Sequence, residues 1–195
     1  MNQQLLDELI SMEQRDVDCR PRLVRAGRLY DDYADELQHV HREDAHRLNE
    51  LVSQHGWPTI SAVGLEGCRT AGVIAQHSIG TPELQRKFLA LITETGGNGE
   101  VPKTQVAFLT DRIRFNEIKP QVYGTVLDWD EKGGLSCKVE DPAILDSRRW
   151  EMGLPATQEN DLEAYRQQVE YEGGKPPQNY METTRKRLEW ARNVG

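Results

Sequence analysis

Cysteine is scarce in this chain, and its thiols lie far apart in the sequence. Cys19, Cys68 and Cys137 are the only three among 195 residues, and no pair of them has the CxxC spacing of a thiolate zinc site. An odd number of widely separated cysteines also argues against the disulfide framework that supports small secreted domains. We therefore expect free thiols and a fold that is stabilised by a packed core.

Long hydrophobic stretches are absent as well. The longest apolar runs, such as 71–75 and 88–92, are far shorter than the roughly 20 residues that a helix needs to span a bilayer. The first eight residues, MNQQLLDE, have neither the basic start nor the apolar centre of a secretory signal peptide. The sequence therefore predicts a cytoplasmic protein that is not inserted in a membrane.

Basic residues are outnumbered by acidic ones. The chain has 24 Lys and Arg against 32 Asp and Glu, which gives a formal net charge of -8 at pH 7. This excess of negative charge repels a phosphate backbone and disfavours nucleic-acid binding. Signature motifs of common enzyme classes are missing too, since there is no GxSxG elbow, Walker loop, GxGxxG turn or HExxH pair. A small molecule is the expected partner, and no cofactor is assigned.

Helical periodicity dominates what is present. Leu5, Leu6, Leu9 and Ile10 recur with helical spacing among acidic and amide residues, which predicts an amphipathic surface helix. Further helices are expected at about 36–55, 68–77, 81–96 and 106–117. Proline and glycine residues, which interrupt helices, set these bounds, because a proline follows the second helix and glycines delay the start of the third.

The period of the pattern changes after Pro120. Residues 122–129 are rich in strand formers, 130–134 is typical of a turn, and 135–139 is a second candidate strand. These features predict a β-hairpin at about 121–140. The expected fold class is mainly α with one small antiparallel β-hairpin (α+β), in a single helical domain at 1–157. Polar helices at 158–195 form a C-terminal helical extension, which is either docked or mobile.

Three polar stretches lie beside residues that are typical of a core, namely 76–78 (QHS), 111–112 (DR) and 121–125 (QVYGT). An unpaired donor or charge in such surroundings is costly, so each group needs a partner inside the fold. We expect the stretches to meet, with His77 as acid-base group, Asp111 as its orienter and Tyr123 as a third catalytic group. The expected substrate-binding residues all carry donor or acceptor groups, and they are Gln76, Arg69, Arg112, Gln121, Thr125 and His41.

Each of these groups also has a plainer interpretation. His77 is a hydrogen-bonded core residue if its helix face is buried, and Asp111 and Arg112 are surface charges if they pair with ions of their own helix. The Tyr123-Gly124-Thr125 stretch suits a strand that crosses a helix closely as well as it suits a ligand. The residues themselves leave these alternatives open.

His41 is the best second histidine, because it shares a helix face with Ala45 and Leu48. The other histidines, at 39, 46 and 55, are expected to face solvent or to cap a helix. Two histidines and one acid suffice for acid-base chemistry or for a metal ion. Their spacing matches neither HExxH nor an EF-hand loop, so metal binding through His41 and His77 is an alternative and no metal ligand set is assigned.

Five motifs in this order resemble the bacterial DUF6624 domain family, over about residues 5–157. They are Gly56-Trp57-Pro58-Thr59, Ala75-Gln76-His77, Asp111-Arg112, Gln121-Val122-Tyr123-Gly124-Thr125, and a final segment with Asp141-Pro142, Arg148-Arg149 and Gly153-Leu154-Pro155. The resemblance implies shared polar residues that look like a site, but no settled activity.

The chain also departs from that family pattern. Arg69 and Gly72 stand where many members have a histidine and a tryptophan, and Ile79 stands at a frequently acidic position. If the absent histidine is a ligand or base in the family, these differences imply altered or lost chemistry. Arg69 equally suits a new anionic substrate.

The leading hypothesis from the sequence is a small enzyme that acts on a small polar or anionic molecule by acid-base chemistry, of hydrolase, lyase or transferase type. A second hypothesis is a non-catalytic interaction protein, such as a toxin, immunity or regulatory component whose acidic surface and C-terminal helices contact a partner. A third is a metal-binding protein that uses its histidines.

Overall fold

The computed structural model describes residues 1–26, 35–155, 159–171, 174–175 and 179–194. The fold is mainly helical with one small antiparallel sheet, which confirms the expected fold class. Its elements are α1 (Gln3–Arg25), α2 (Asp35–His55), α3 (Ile60–His77), α4 (Pro82–Thr95), α5 (Lys103–Asn116), β1 (Asp128–Trp129), β2 (Leu135–Ser136), α6 (Leu145–Glu151), α7 (Glu159–Tyr171) and α8 (Tyr180–Val194).

Helix α1 is longer than its first apolar residues suggest, and one of its faces is buried against α2 and α3. Asn2 caps its start, because the Asn2 side chain accepts a hydrogen bond from the Leu5 amide at 3.1 Å. Its buried residues recur every three or four positions, as Leu5, Leu9, Met12, Asp16, Cys19 and Leu23. One position of this otherwise apolar stripe is therefore an aspartate.

Helix α3 begins earlier than the sequence predicts. The Thr59 side chain caps the first turn by accepting from the Ala62 amide at 3.2 Å, so helical residues start at Ile60 and not at about 68. Gly64 interrupts the helix with a φ of 74°, a conformation that glycine adopts without steric cost. The glycines were expected to delay the helix, whereas they bend it and let it pack closely.

Gly72 lies where α3 and α5 pack against each other most tightly. A Cβ at this position would lie 2.7 Å from the Gln105 side chain of α5. Gln105 is buried and its Nε2 donates to the Cys68 carbonyl at 2.9 Å, so it cannot move aside without losing that bond. The small residue at 72 is therefore a packing requirement of this pair of helices.

The substitution Gly72→Ala is expected to lower the free energy of unfolding by about 1–2 kcal/mol. The steric cost is offset in part by the better helix propensity of alanine, which contributes up to about 1 kcal/mol. Urea unfolding measures the change. The control is Gly97→Ala, at a site with no neighbouring atom within 4 Å of the added Cβ; equal effects of the two substitutions would contradict the close contact at Gly72.

The segment 122–127 does not form the predicted strand. Within the fully described segment 121–140, only Asp128–Trp129 and Leu135–Ser136 pair as strands, and a single bridge joins Gln121 to Val139. The residues between Gln121 and β1 instead form a loop, hereafter the 121–126 loop, whose amides point at the side chain of Asp111. The backbone amides of this loop donate to a side chain and do not form the hydrogen bonds of a strand pair.

The C-terminal helices contact the rest of the molecule. On α7, Val169 is 2% exposed, and on α8 the Arg187 guanidinium lies 2.6 Å from the Asp128 carboxylate and 4.6 Å from the centre of the Phe115 ring. Of the two alternatives for the extension, these contacts favour docking. The predicted boundary at 157 lies outside the described residues, and the division into domain and extension stays a prediction.

None of the helices in the described ranges combines the length and apolarity needed to cross a bilayer.

Candidate functional site

The Asp16 carboxylate joins two imidazole rings. Its Oδ2 lies 2.6 Å from His77 Nδ1, and its Oδ1 lies 3.2 Å from His41 Nε2. The two rings are 4.9 Å apart between centroids and tilted by 36°. We call these three residues the Asp16 cluster.

Each member of the Asp16 cluster comes from a different helix. Asp16 occupies the buried stripe of α1, His41 the buried face of α2, and His77 the last turn of α3. Because these three helices pack on one another, polar residues on their buried faces are brought together. The exposed fraction of the side chain is 10% for Asp16, 8% for His41 and 32% for His77, so only His77 is open to solvent.

Two further carboxylates border the cluster. Glu13 accepts a hydrogen bond from the Thr70 hydroxyl at 2.7 Å, and Asp44 is bound by the Arg15 guanidinium. Together with the Asp16 cluster, Val73 and Ile74, they line a hollow of about 10 Å³. That is about the space of one water molecule, and far less than the roughly 300 Å³ of a pocket for a drug-sized ligand.

The protonation of the cluster follows from its surroundings. Burial acts to raise the pKa of Asp16, but hydrogen bonds from His41 and His77 outweigh it and hold this pKa well below its usual range. Dehydration lowers the pKa of His77, against the opposing effect of Asp16. Burial also raises the pKa of Asp44 to about 6, despite the nearby Arg15. Burial therefore favours the neutral form of His77, and the hydrogen bonds from the two imidazoles favour the anionic form of Asp16.

The geometry of the Asp16 cluster is compatible with a cation. One nitrogen of each imidazole and one carboxylate oxygen all lie within 4.8 Å of one another. Zinc takes such ligands at about 2.0–2.2 Å, which places tetrahedral ligands about 3.3–3.6 Å apart. Shifts of about 1 Å in the rings would suffice to place the three donors around one ion.

Asp111 does not orient His77, because Asp16 occupies that place. The Asp111 carboxylate is fully buried and accepts from the backbone amides of Val122, Tyr123 and Thr125 at 2.8–3.2 Å, and from the Thr125 hydroxyl at 3.0 Å. The prediction that Asp111 has a partner inside the fold is correct, but that partner is the 121–126 loop. Its observed contacts give it a structural role in shaping this loop.

Other side chains also form hydrogen bonds to the backbone of the 121–126 loop. Gln121 bonds both the carbonyl and the amide of Val126, at 2.6 and 2.9 Å, and the fully buried Arg149 donates to the Tyr123 carbonyl at 2.9 Å. The phenol of Tyr123 has a pKa raised by burial, with the charges of Arg148 and Glu151 nearby. Neither Asp111 nor Tyr123 lines the hollow beside His77, so the expected catalytic trio does not assemble around it.

Of the remaining predicted residues, one belongs to the Asp16 cluster and the others lie outside it. His41 lies inside the cluster, and Gln76 stays on its own helix, where its Nε2 donates to the Gly72 carbonyl at 3.4 Å. Arg69 is exposed on α3, and Arg112 lies half-buried on α5. The histidines at 39, 46 and 55 are exposed, as predicted.

Sequence reasoning missed Asp16, Asp44 and Glu13. A signal for Asp16 exists, because positions 5, 9, 12, 16, 19 and 23 have helical spacing and all but one are apolar. The same holds for Asp44, which lies one turn from His41 on the buried face of α2. An acidic residue on an apolar stripe indicates a buried partner, and two such residues on adjacent helices indicate a polar site.

Comparison with known proteins gives one match. A family model described as "Family of unknown function (DUF6624)" covers residues 3–178 of the 195-residue chain. No curated protein matches, and no solved structure matches. The match includes the Asp16 cluster and the 121–126 loop, and it ends before α8.

Proposed function

This chain belongs to the DUF6624 family of unknown function, and from its own geometry we propose that it binds a divalent transition-metal ion through Asp16, His41 and His77. The observation that carries the proposal is the convergence of one carboxylate and two imidazoles, each from a different helix, on a hollow of about 10 Å³. Two histidines and a carboxylate are a recurrent ligand set for zinc and for non-haem iron.

The electrostatics of the hollow support a cation. Three carboxylates, at 13, 16 and 44, border it, while Arg15 is the cation bound to one of them. The lowered pKa values of Asp16 and His77 both favour the deprotonated groups that metal ligation requires. Glu13 and Asp44 are placed as outer groups that hold or orient the ligands.

Three protein ligands leave at least one coordination position for water or substrate. A metal held there would supply a Lewis acid and an activated water at neutral pH, which is the chemistry of metal-assisted hydrolysis. His77 is 32% exposed while His41 and Asp16 are buried, so a substrate would approach from the side of His77. We therefore propose a metal-dependent enzyme, of hydrolase type.

We expect the purified protein, after chelation and dialysis, to take up one equivalent of zinc or cobalt. His41→Ala and His77→Ala are each expected to weaken binding at least about 100-fold, because even outer-shell partners of a metal contribute about 10–100-fold. Isothermal titration with zinc measures the affinity, and the visible absorption of cobalt reports whether nitrogen ligands are bound.

The matched controls are His39→Ala and His55→Ala, since both histidines are exposed and lie on the same helix as His41. These variants should bind like the parent. Circular dichroism confirms that each variant is folded. Absence of stoichiometric metal, or equal affinity in the His41 and His77 variants and the controls, would refute the metal site.

A second candidate function is metal-free acid-base catalysis. It is favoured by the 2.6 Å contact between Asp16 and His77 Nδ1, which holds one ring nitrogen of a side chain that is 32% exposed. In this proposal Asp16 takes the orienting role that the sequence assigned to Asp111. The titrations above distinguish the two, because a metal-free catalyst takes up no equivalent of zinc or cobalt.

A further inference from the structure

Arg112 is a half-buried cation whose inner nitrogen has no partner. Its Nε is enclosed by protein and makes no hydrogen bond. Within the described ranges, none of the ion pairs involves Arg112, whereas Arg114 on the same helix pairs with Glu140 and Arg86 on α4 pairs with Glu117. A buried donor without a partner is costly, so the position of this nitrogen requires an explanation.

The neighbours of Arg112 do not neutralise it. Asp128 is close enough to act on its charge, but the Asp128 carboxylate is already bound to Arg187 at 2.6 Å. The other electrostatic neighbour is the phenol of Tyr165 on α7. The half-buried guanidinium of Arg112 therefore keeps donors available on its open side.

Arg112 also lies on a helix that contacts the helix of His77. Helix α5 packs against α3, which carries His77 in its last turn. One turn beyond Arg112, Asn116 donates to the Gln85 side chain at 3.5 Å, and Gln85 donates to the carbonyl of Gln76, the residue before His77, at 2.9 Å. The end of α5 that carries Arg112 therefore lies near the end of α3 that carries His77.

We propose that Arg112 binds an oxyanion, a carboxylate or a phosphate group, on a substrate whose reacting part lies at His77. The planar guanidinium offers two parallel donors to such a group, which a lysine does not. The role of this anion as part of a substrate rests on the function proposed above. It limits the substrates of the proposed enzyme to small anions. The anion site itself depends only on Arg112 and its surroundings.

The test uses inorganic phosphate and metal-stripped protein, so that a bound ion cannot recruit the anion. Phosphate is titrated into the full chain while imidazole nitrogen signals are followed by NMR. We expect saturable binding that shifts the His77 signals. Arg112→Met should weaken this binding at least about 10-fold, and Arg112→Lys should weaken it less, because a point charge is retained. The matched control is Arg185→Met, which removes an exposed guanidinium and should change nothing.

The outcomes separate this proposal from the metal site. Phosphate binding that is lost in Arg112→Met and kept in Arg185→Met supports the anion site, whether or not zinc binds. Three results would overturn the anion site. The first is a lack of saturable phosphate binding, and the second is equal binding by Arg112→Met and the parent. The third is binding that appears only after zinc loading and is unchanged by substitution of Arg112. If circular dichroism shows that Arg112→Met is unfolded, Arg112→Lys is used in its place. The anion site is then overturned if the folded Arg112→Lys protein binds phosphate as strongly as the parent and its His77 signals do not shift.

Discussion

Asp111→Asn is expected to lower the free energy of unfolding by about 3–5 kcal/mol, because it replaces a buried anion that several donors share. The carboxylate accepts three backbone amides and one hydroxyl from the 121–126 loop. An asparagine presents an NH₂ group to some of these donors and leaves them unpaired in the interior. The loss is a large part of the total stability of a typical domain, which is about 5–15 kcal/mol. Urea unfolding measures it.

Two matched substitutions define the origin of that loss. Asp146→Asn changes an exposed aspartate and should alter the free energy of unfolding by less than about 0.5 kcal/mol. Thr125→Val removes only the hydroxyl donor and should cost about 1 kcal/mol. Hydrogen exchange should show faster amide exchange at Val122 and Thr125 in Asp111→Asn. If Asp111→Asn and Asp146→Asn prove equally stable, the loop does not depend on this carboxylate.

Arg149→Met is expected to lower the free energy of unfolding by about 3 kcal/mol, because it removes a buried charged donor from the carbonyls that it bonds. Arg149 is fully buried, and its Nε donates to the Pro155 carbonyl at 2.7 Å. Its Nη1 donates to the Tyr123 carbonyl at 2.9 Å. Methionine fills similar space but donates nothing. Thermal and urea unfolding measure the effect.

The neighbouring arginine provides the control. The Arg148 side chain is 23% exposed and its contact with the Glu140 carboxylate is long, at 3.9 Å, so Arg148→Met should cost less than Arg149→Met, about 1 kcal/mol. The 121–126 loop is held from two sides, since Asp111 receives its amides and Arg149 donates to its carbonyls. The double variant of Asp111 and Arg149 should therefore lose less stability than the sum of the two single variants. Full additivity would mean that the two residues stabilise separate regions.

The helices could be predicted because their signals are local. Apolar residues three or four positions apart, a proline at the start of α4 and a glycine after α2 fix most of the bounds within a few residues. The start of α3 was wrong because Thr59 caps a turn that precedes Gly64. A glycine with positive φ bends this helix instead of delaying it, and sequence alone does not distinguish these two outcomes.

The 121–126 loop was predicted as a strand because its composition is that of a strand. Valine, tyrosine and threonine favour extended backbone, and that preference is weak compared with a buried carboxylate that accepts several amides. The competing partner, Asp111, lies more than ten residues away in the sequence. A long-range side-chain contact of this kind leaves no local periodicity, so the pattern could not reveal it.

The candidate site was found in part. His41 and His77 were identified because polar residues on apolar helix faces are conspicuous, and the structure brings these two together. Their acidic partner was assigned to Asp111, since the first helix was interpreted as a surface helix and Asp16 was not considered. The stripe from Leu5 to Leu23 places Asp16 on the buried side. The catalytic and ligand-binding roles of all these residues stay predictions.

The origin of the Asp16 cluster in three separate helices links its occupancy to the folding equilibrium. An unfolded chain does not hold residues 16, 41 and 77 together, so an ion that needs all three binds only the assembled bundle. At a free ion concentration of about 100 times Kd, such binding adds about 2.7 kcal/mol to stability. The supply of that ion in the cell would then set how long the folded chain survives.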